Sequence, residues 1–432
     1  MFKPTVGAAD AASVLFNLPE YRVIDVVAGE HWGREVFIET PVLEAGCPGC
    51  GVLTSRVHQR TRQRVHDVSF DGAVRVWWIK KRWRCGEPLC GTATFTEHTT
   101  QVPARARLTA RLKDRIVSAL SGEVRAVSRV AAELGTSWPT AMRQLTATRA
   151  AQAARAAARP ALVYALGIDE HRFAAVRWYQ DEDRAWCRVE PWVTMFTDLS
   201  TGRVIGVVDG RDSAAVQSWL KTRPRWWRHR VRVVAIDPSA SFRAAVRYWL
   251  PKARVSVDHF HLVKLANDVV TQVRRRVSWD RHGRRGRGVD LAWANRLLLL
   301  RGYDTLSPRG IDKLNHVLAV DDPTEEISAA WGVKEQLRRL LACQTLADAR
   351  LERAMFNQYV TWAAMTETSR LKKTIDAWWP AIEVFITTRV TNAKTEAANV
   401  TIKNIKRCGR GYRSHPNYQC RIMLYNTATV AA

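Results

Sequence analysis

The chain has 432 residues, with 67 Lys+Arg against 41 Asp+Glu and a formal net charge of +26. A surplus of that size is the electrostatic footprint of a protein that binds a polyanion, and nucleic acid is the polyanion it suits best. No apolar run reaches the roughly 18 residues of a membrane span and no signal peptide precedes the 8 cysteines, which excludes a membrane protein and a disulfide framework and points to a reducing, cytoplasmic setting.

Residues 1–40 alternate in short stretches such as 21–27 and 35–38, which predicts short antiparallel strands. Cys47-Pro-Gly-Cys50 is answered by Cys85-Gly-Glu-Pro-Leu-Cys90 across strand-like sequence at 65–70 and 74–83. Two close thiol pairs of this kind suit the four ligands of a closed, structural zinc (Zn2+) site, the alternative being buried free thiols. The strands between them are basic (Arg56, Arg60, Arg62, Arg64, Lys80, Lys81, Arg82, Arg84) and interleaved with Trp77, Trp78 and Trp83. That pattern suits DNA contact, and a solvated strand face has the same composition. Lys80, Lys81 and Arg82 are the expected contacts.

From Arg105 the period becomes helical: Leu108, Leu112, Ile116 and Leu120, then a break at Gly122. A second helix is expected over 124–134, closed by Gly135. Thr136 or Ser137 then caps a third through Met142 and Leu145. This is a helix-turn-helix pattern, which an ordinary three-helix bundle shares. In the DNA-binding reading, Ser137, Trp138, Thr140 and Arg143 open the recognition helix and face base edges. An Ala/Arg-rich helical connector ends at Pro160.

Strands are expected over 162–168, ending on Asp169-Glu170, then over 171–178, 191–197 and 203–208, with a helix over 212–220. The apolar run 231–236 ends on Asp237. A helix over 239–249 follows, and a strand over 254–257 ends on Asp258. Such a βαβ unit presents acidic residues at the carboxyl ends of strands, where open α/β sheets bind ligands. Aspartate is also a favoured helix N-cap, so Asp237 alone admits both readings. Residues 269–390 read as helical. The arginine-rich stretch 274–288, with Arg284 and Arg285, reads as a loop or frayed helix lying against phosphates, or as a solvated surface loop. Finally, in 389–407 the residues Glu396, Asn399, Lys403 and Lys406 share one helical face.

The ordered set CPGC, CGEPLC, helix-turn-helix, GIDEHRF, VAIDPSASF, VDHFHLVKLAN and TNAKTEAAN resembles the ISL-three-type bacterial insertion-sequence transposases over nearly the whole chain. The resemblance implies a DDE enzyme with an RNase H-like core. Asp169 and Asp237 would be its catalytic aspartates and Glu396 its glutamate, and residues 265–390 would form an all-helical insertion. Asp258 and His261 match a DxxH element near the active site. Both Asp237 and Asp258 end strands, so the second carboxylate stays open between them, and His261 reads equally as an orienting residue or a core histidine. Three carboxylates suit two divalent ions, Mg2+ or Mn2+, about 3.5–4 Å apart, which drive phosphodiester cleavage and strand transfer. Lys403 and Lys406 would follow the DNA.

The expected organisation is therefore a multidomain α/β protein. It has a zinc-binding β module (1–100), a helix-turn-helix and connector (101–160), a core (161–268), a helical insertion (269–388) and a C-terminal region completing the core (389–432). Its implied partners are double-stranded DNA, as element ends and target, and a second copy of the chain on that DNA, in the bacterial cytoplasm at the nucleoid. Two rivals are an inactive DNA-binding regulator and an RNase H-like nuclease that does not join strands.

Overall fold

A computed structural model describes residues 11–29, 33–69, 72 and 74–428. The chain forms two compact units, one comprising residues up to Ala158 together with those from Lys403 onward, the other Arg159–Ile402.

In the first unit, strands β1 (Arg22–Gly29), β2 (Gly33–Glu39), β3 (Val57–Val65), β4 (Val74–Arg84) and β5 (Thr94–Thr96) make one sheet in the order β1-β2-β4-β3, with β5 on β4. Alternation along β4 turns Val76 and Trp78 inward onto Val23, Val36, Ile38, Val65 and Val102. Helices α1 (Ala110–Ser121), α2 (Val127–Glu133) and α3 (Trp138–Ala158) follow. Thr109 caps α1 by accepting from the Leu112 amide. Gly135 takes φ +60° after α2, and Ser137 Oγ accepts from the Thr140 amide at 3.3 Å to open α3.

The second unit is built on a mixed sheet of β6 (Ala165–Arg172), β7 (Trp192–Asp198), β8 (Arg203–Asp209), β9 (Val233–Ile236) and β10 (Arg254–Val257), in the order β8-β7-β6-β9-β10. The first three run antiparallel, while β9 and β10 run parallel to β6. All four β9 residues are buried, as a parallel strand covered on both faces requires. Helices α4 (Ser213–Lys221), α5 (Ala240–Trp249) and α6 (His259–His282) connect and cover these strands. Further helices include α7 (Glu326–Ala342), α8 (Leu346–Ala363) and α9 (Thr366–Thr388), whose apolar faces join the same buried cluster as the sheet. Two more end the described chain, α10 (Ala393–Cys408) and α11 (His415–Ala428).

Two local expectations are corrected. The strand expected over 171–178 is the end of β6 followed by a separate hairpin, Arg177–Gln180 with Trp186–Val189. The stretch 274–288 is not mainly loop: α6 continues to His282 and stops on Gly283 at φ +61°. Arg274 lies buried within that helix. The core boundary expected at 268 falls inside α6, and the residues from Lys403 cluster with the first unit. Among the described residues no helix is long and apolar enough to cross a membrane.

Candidate active site and metal centre

The parallel pairing of β9 with β6 ends at Ile236 opposite Ile168. The next residue on each strand, Asp237 and Asp169, therefore lies at the same level on adjacent strands. On its other edge β6 continues against β7, from Met195 opposite Asp169 to Trp192 opposite Arg172. Asp169 thus sits within its strand rather than at its end, because one neighbour stops there and the other does not. The Glu170 amide donates to Asp169 Oδ1 at 2.8 Å. Burial, reinforced by the charge of Asp237, pushes the Asp169 carboxyl up to about 7.

Asp237 is not the cap of α5. That role belongs to Ser239, whose Oγ accepts from the Phe242 amide. Asp258 does cap its helix, taking the Phe260 amide on Oδ1 at 3.2 Å, and is wholly buried. One turn into α6, His261 places Nε2 2.9 Å from Asp237 Oδ2 and Nδ1 3.4 Å from Asp258 Oδ2. Contact with Asp237, and then with Asp258, raises the imidazole to about 10, and the side chain bridges the two carboxylates. The facing ligand atoms of Asp237, Asp258 and His261 lie within 4.8 Å of one another. Asp237 keeps its second oxygen, Oδ1, buried with no hydrogen-bond partner among the described residues.

The first turns of α10 dock on β6. Asn392 Nδ2 donates to the Ile168 carbonyl at 3.2 Å, and Asn399 Nδ2 donates to Asp169 Oδ2. Thr395 lies buried between them in sequence. The approach is so close that a Cβ on Gly167 would stand 2.2 Å from Thr395 Oγ1. Glu396 lies in the first turn of α10, half-buried and one turn before Asn399 on the same face. The fold thus gathers Asp169, Asp237, Asp258 and His261, with Asn399 gripping Asp169. Asn399 and Gly167 carry no sequence signal of their own beyond the polar TNAKTEAAN run and the small residue before IDE.

In the first unit the four cysteines converge. Cys47 Sγ lies 3.8 Å from Cys90 Sγ, and Cys50 Sγ lies 3.6 Å from Cys85 Sγ. Sulfur atoms at the corners of a tetrahedron with metal bonds of about 2.3 Å would be about 3.8 Å apart. Backbone amides of Glu87 and Thr92 point at Cys85 and Cys90 Sγ, each at 3.4 Å. A side chain at Gly49 would meet Thr92 Oγ1 at 2.7 Å and Cys90 Sγ at 3.3 Å. The donor set suits zinc.

Residues 166–422 match the family model described as "Transposase". Residues 97–148 match "Helix-turn-helix domain of transposase family ISL3", and residues 44–90 match "zinc-finger of transposase IS204/IS1001/IS1096/IS1165". The chain belongs to the ISL3 family of transposases. It is 25% identical over 383 residues to the "Transposase for insertion sequence element IS1001" of Bordetella parapertussis, a match covering 87% of each chain.

The transposase presents its expected DNA-facing residues unevenly. At the start of α3, Ser137 just before the helix and Trp138 and Arg143 within it are exposed, and Thr140 is half-buried. In β4, Lys81 is buried and donates to the Thr40 and Val42 carbonyls, both at 2.8 Å, so it cannot reach DNA. Lys80 lies 4.4 Å over the Trp78 ring and donates to Gln63 at 3.3 Å. Arg82 is exposed but spans to Thr94 Oγ1. The neighbouring strand does better: Arg60, Arg62 and Arg64 are all exposed on one face, and Arg62 stacks 3.7 Å over Trp77. Arg284 is held by Asp290 at 2.6 Å, while Arg285 is exposed. Lys403 is exposed and Lys406 half-buried.

Proposed function

We propose that this transposase binds the terminal inverted repeats of its insertion sequence, frees a 3′ hydroxyl at each end, and joins it to target DNA in an RNase H-like active site. The observation that carries this reading is the meeting of Asp169 and Asp237 on adjacent strands with α10 docked against them. The sheet order, an antiparallel meander flanked by two parallel strands, supports the RNase H-like assignment. The proposed division is a zinc module, a helix-turn-helix, and a core of 161–268 completed by the helix beginning near 389, with the helices of 269–388 inserted between. Two copies acting together on paired ends complete the proposal.

Asp169, Asp237 and Glu396 would hold divalent cations, Mg2+ or Mn2+, and their hard oxygen donors fit such ions. The orphaned, buried Oδ1 of Asp237 is the observation that favours a ligand there. Bound divalent ions supply charge that stabilises the attacking and leaving oxygens of an in-line displacement. The chain's own residues do the positioning. Asn399 fixes the Asp169 carboxylate from one side and the Glu170 amide fixes it from the other. His261 holds Asp237 by one oxygen and leaves the other, buried, without a hydrogen-bond partner among the described residues. In this reading Asp258 orients His261 and caps α6.

The test is cleavage and joining of duplex DNA carrying the element's ends, with Mg2+ or with chelator. Asp169→Asn, Asp237→Asn and Glu396→Gln should each abolish cleavage while end binding persists. Near-normal cleavage by any one of them would overturn that residue's role. Tight end binding without metal-dependent cleavage by the native chain would overturn the catalytic reading as a whole.

A further inference from the structure

The helix-turn-helix match ends at residue 148, and the transposase match runs on to residue 422. The fold divides the chain differently. Cys420 and Leu424 of α11 belong to the same buried cluster as Leu112, Ile116 and Leu120 of α1, Val130 of α2, and Met142 and Leu145 of α3. Tyr418 and Ile422 of α11 are also fully buried. The helix that ends the described chain is therefore part of the core beneath the recognition helix.

Within α11, Arg421 is wholly buried. Its Nη1 donates to the Leu120 carbonyl and its Nη2 to the Arg125 carbonyl at 3.1 Å. These two carbonyls bracket the turn between α1 and α2. Leu120 lies in the last turn of α1, where carbonyls lack helical partners and carry the negative end of the helix dipole. Arg125 immediately precedes Ala126, which offers α2 no side-chain cap. A planar guanidinium presents its N–H donors in a rigid fork, so two carbonyls bonded to it are held at a fixed separation, whereas an ammonium on a flexible stem imposes no such spacing. A buried arginine is costly unless its donors find acceptors; here Nη1 and Nη2 do so on main-chain carbonyls while Nε has no partner among the described residues, so it is the two carbonyl contacts that specify a geometry.

We propose that the DNA-reading head is a composite of α1, α2, α3 and the C-terminal α11, and that Arg421 is its positioning residue, fixing the α1–α2 turn on which the recognition helix rests. The inference builds on the reading of α3 as the helix that recognises the element's ends. It makes end recognition depend on a segment following the helix that carries Glu396, with only residues 409–414 between them. Arg421 touches no base. It acts through the angle at which α3 is presented, and discrimination between sequences depends on that angle.

The experiment uses the full chain and two fluorescent duplexes of equal length, one carrying the terminal inverted repeat that flanks this coding sequence, the other scrambled. Arg421→Met should raise Kd for the end duplex by about tenfold or more, with Kd for the scrambled duplex and the zinc content unchanged. Arg421→Lys should recover part of the preference, since an ammonium keeps the charge and can donate to these carbonyls but lacks the rigid fork that spaces them. Wild-type discrimination in Arg421→Met would overturn the proposal, and so would a parallel loss on both duplexes. Hydrogen exchange on the native chain tests it without a variant. End DNA should slow exchange in 415–428 together with α3, and protection of α3 alone would overturn it. A native chain with no preference for the end duplex would instead defeat the proposed end recognition itself.

Discussion

Replacing Gly167 by alanine adds one methyl group at a point of close approach between β6 and α10. The new Cβ would stand 2.2 Å from Thr395 Oγ1, and 2.8 Å from both Asn392 Oδ1 and Leu199 Cδ2. Thr395 Oγ1 would have to retreat by more than about 1 Å to reach ordinary van der Waals distance. Thr395 and Asn392 are both fully buried, so neither has solvent to move into. Overpacking of this kind costs about 1–3 kcal/mol, partly offset by the roughly 0.5–1 kcal/mol that alanine gains over glycine in a strand. At about 2–4 °C per kcal/mol for a domain of this size, the melting temperature should fall by only a few degrees. Activity should suffer far more. The strain falls on the turn that carries Glu396 and leads to the Asn399–Asp169 bond, and a misplacement of about 1 Å can cost on the order of 100-fold in rate. The assay is single-turnover cleavage of end DNA with Mg2+ beside end-duplex binding, which should not change. Adding Thr395→Ala removes the closest atom and should restore much of the rate. Full cleavage by Gly167→Ala, or no recovery in the double variant, would refute the view that this close approach sets the catalytic helix.

Because burial and Asp237 raise the Asp169 carboxyl to about 7, the metal-free fold holds a proton there below about pH 7. That stabilisation is complete below the ordinary carboxylate range near 3.8 and is lost as pH rises through about 7. Mg2+ binding at pH 6 should therefore release close to one proton, and at pH 8 almost none, as read by calorimetry in buffers of different ionisation enthalpy; no release at pH 6 would remove Asp169 from the metal set. Cys90→Ser should lower bound zinc in elemental analysis and weaken end binding, and full zinc retention would count against the four-thiolate site. Replacing Arg60, Arg62 and Arg64 together by alanine should reduce the slope of log K against log salt by about 0.9 for each phosphate no longer neutralised, with an unchanged slope excluding this face from DNA. Lys81→Met should leave that slope alone and instead lower stability by about 1–3 kcal/mol, because the Thr40 and Val42 carbonyls are left without their donor.

What the sequence made legible was whatever depends on neighbouring residues. The run 231–236 reads as a buried parallel strand because all but one of its positions are apolar, and the aspartate after it is conspicuous for the same reason. The cysteine pairs declare themselves by spacing. The strand that carries Asp169 runs longer than its apolar residues suggest, because the length of β6 is set by its pairing with β7, a partner that no local pattern reveals. The burial of Lys81 was not legible, because alternation along β4 assigns a face but cannot say that residues 40–42 cover it there.

The hardest features to read were those whose partners lie hundreds of positions away. Asn392 meets Ile168 across 224 residues, and Arg421 meets Leu120 across 301. On a helical wheel, Arg421 is one more cation in a chain with a +26 surplus. Burial gives it meaning, since a guanidinium removed from water must find acceptors, and here they bracket a single turn. The same holds for Asn399, which would pass as a solvated amide until its donor is seen on Asp169. In both cases a polar side chain on a short C-terminal stretch, 392–421, is fixed by main chain or carboxylate laid down far earlier. Cleavage and end recognition should therefore both fail when this stretch is perturbed, and they should fail separately: cleavage through residues 392–399, recognition through residue 421.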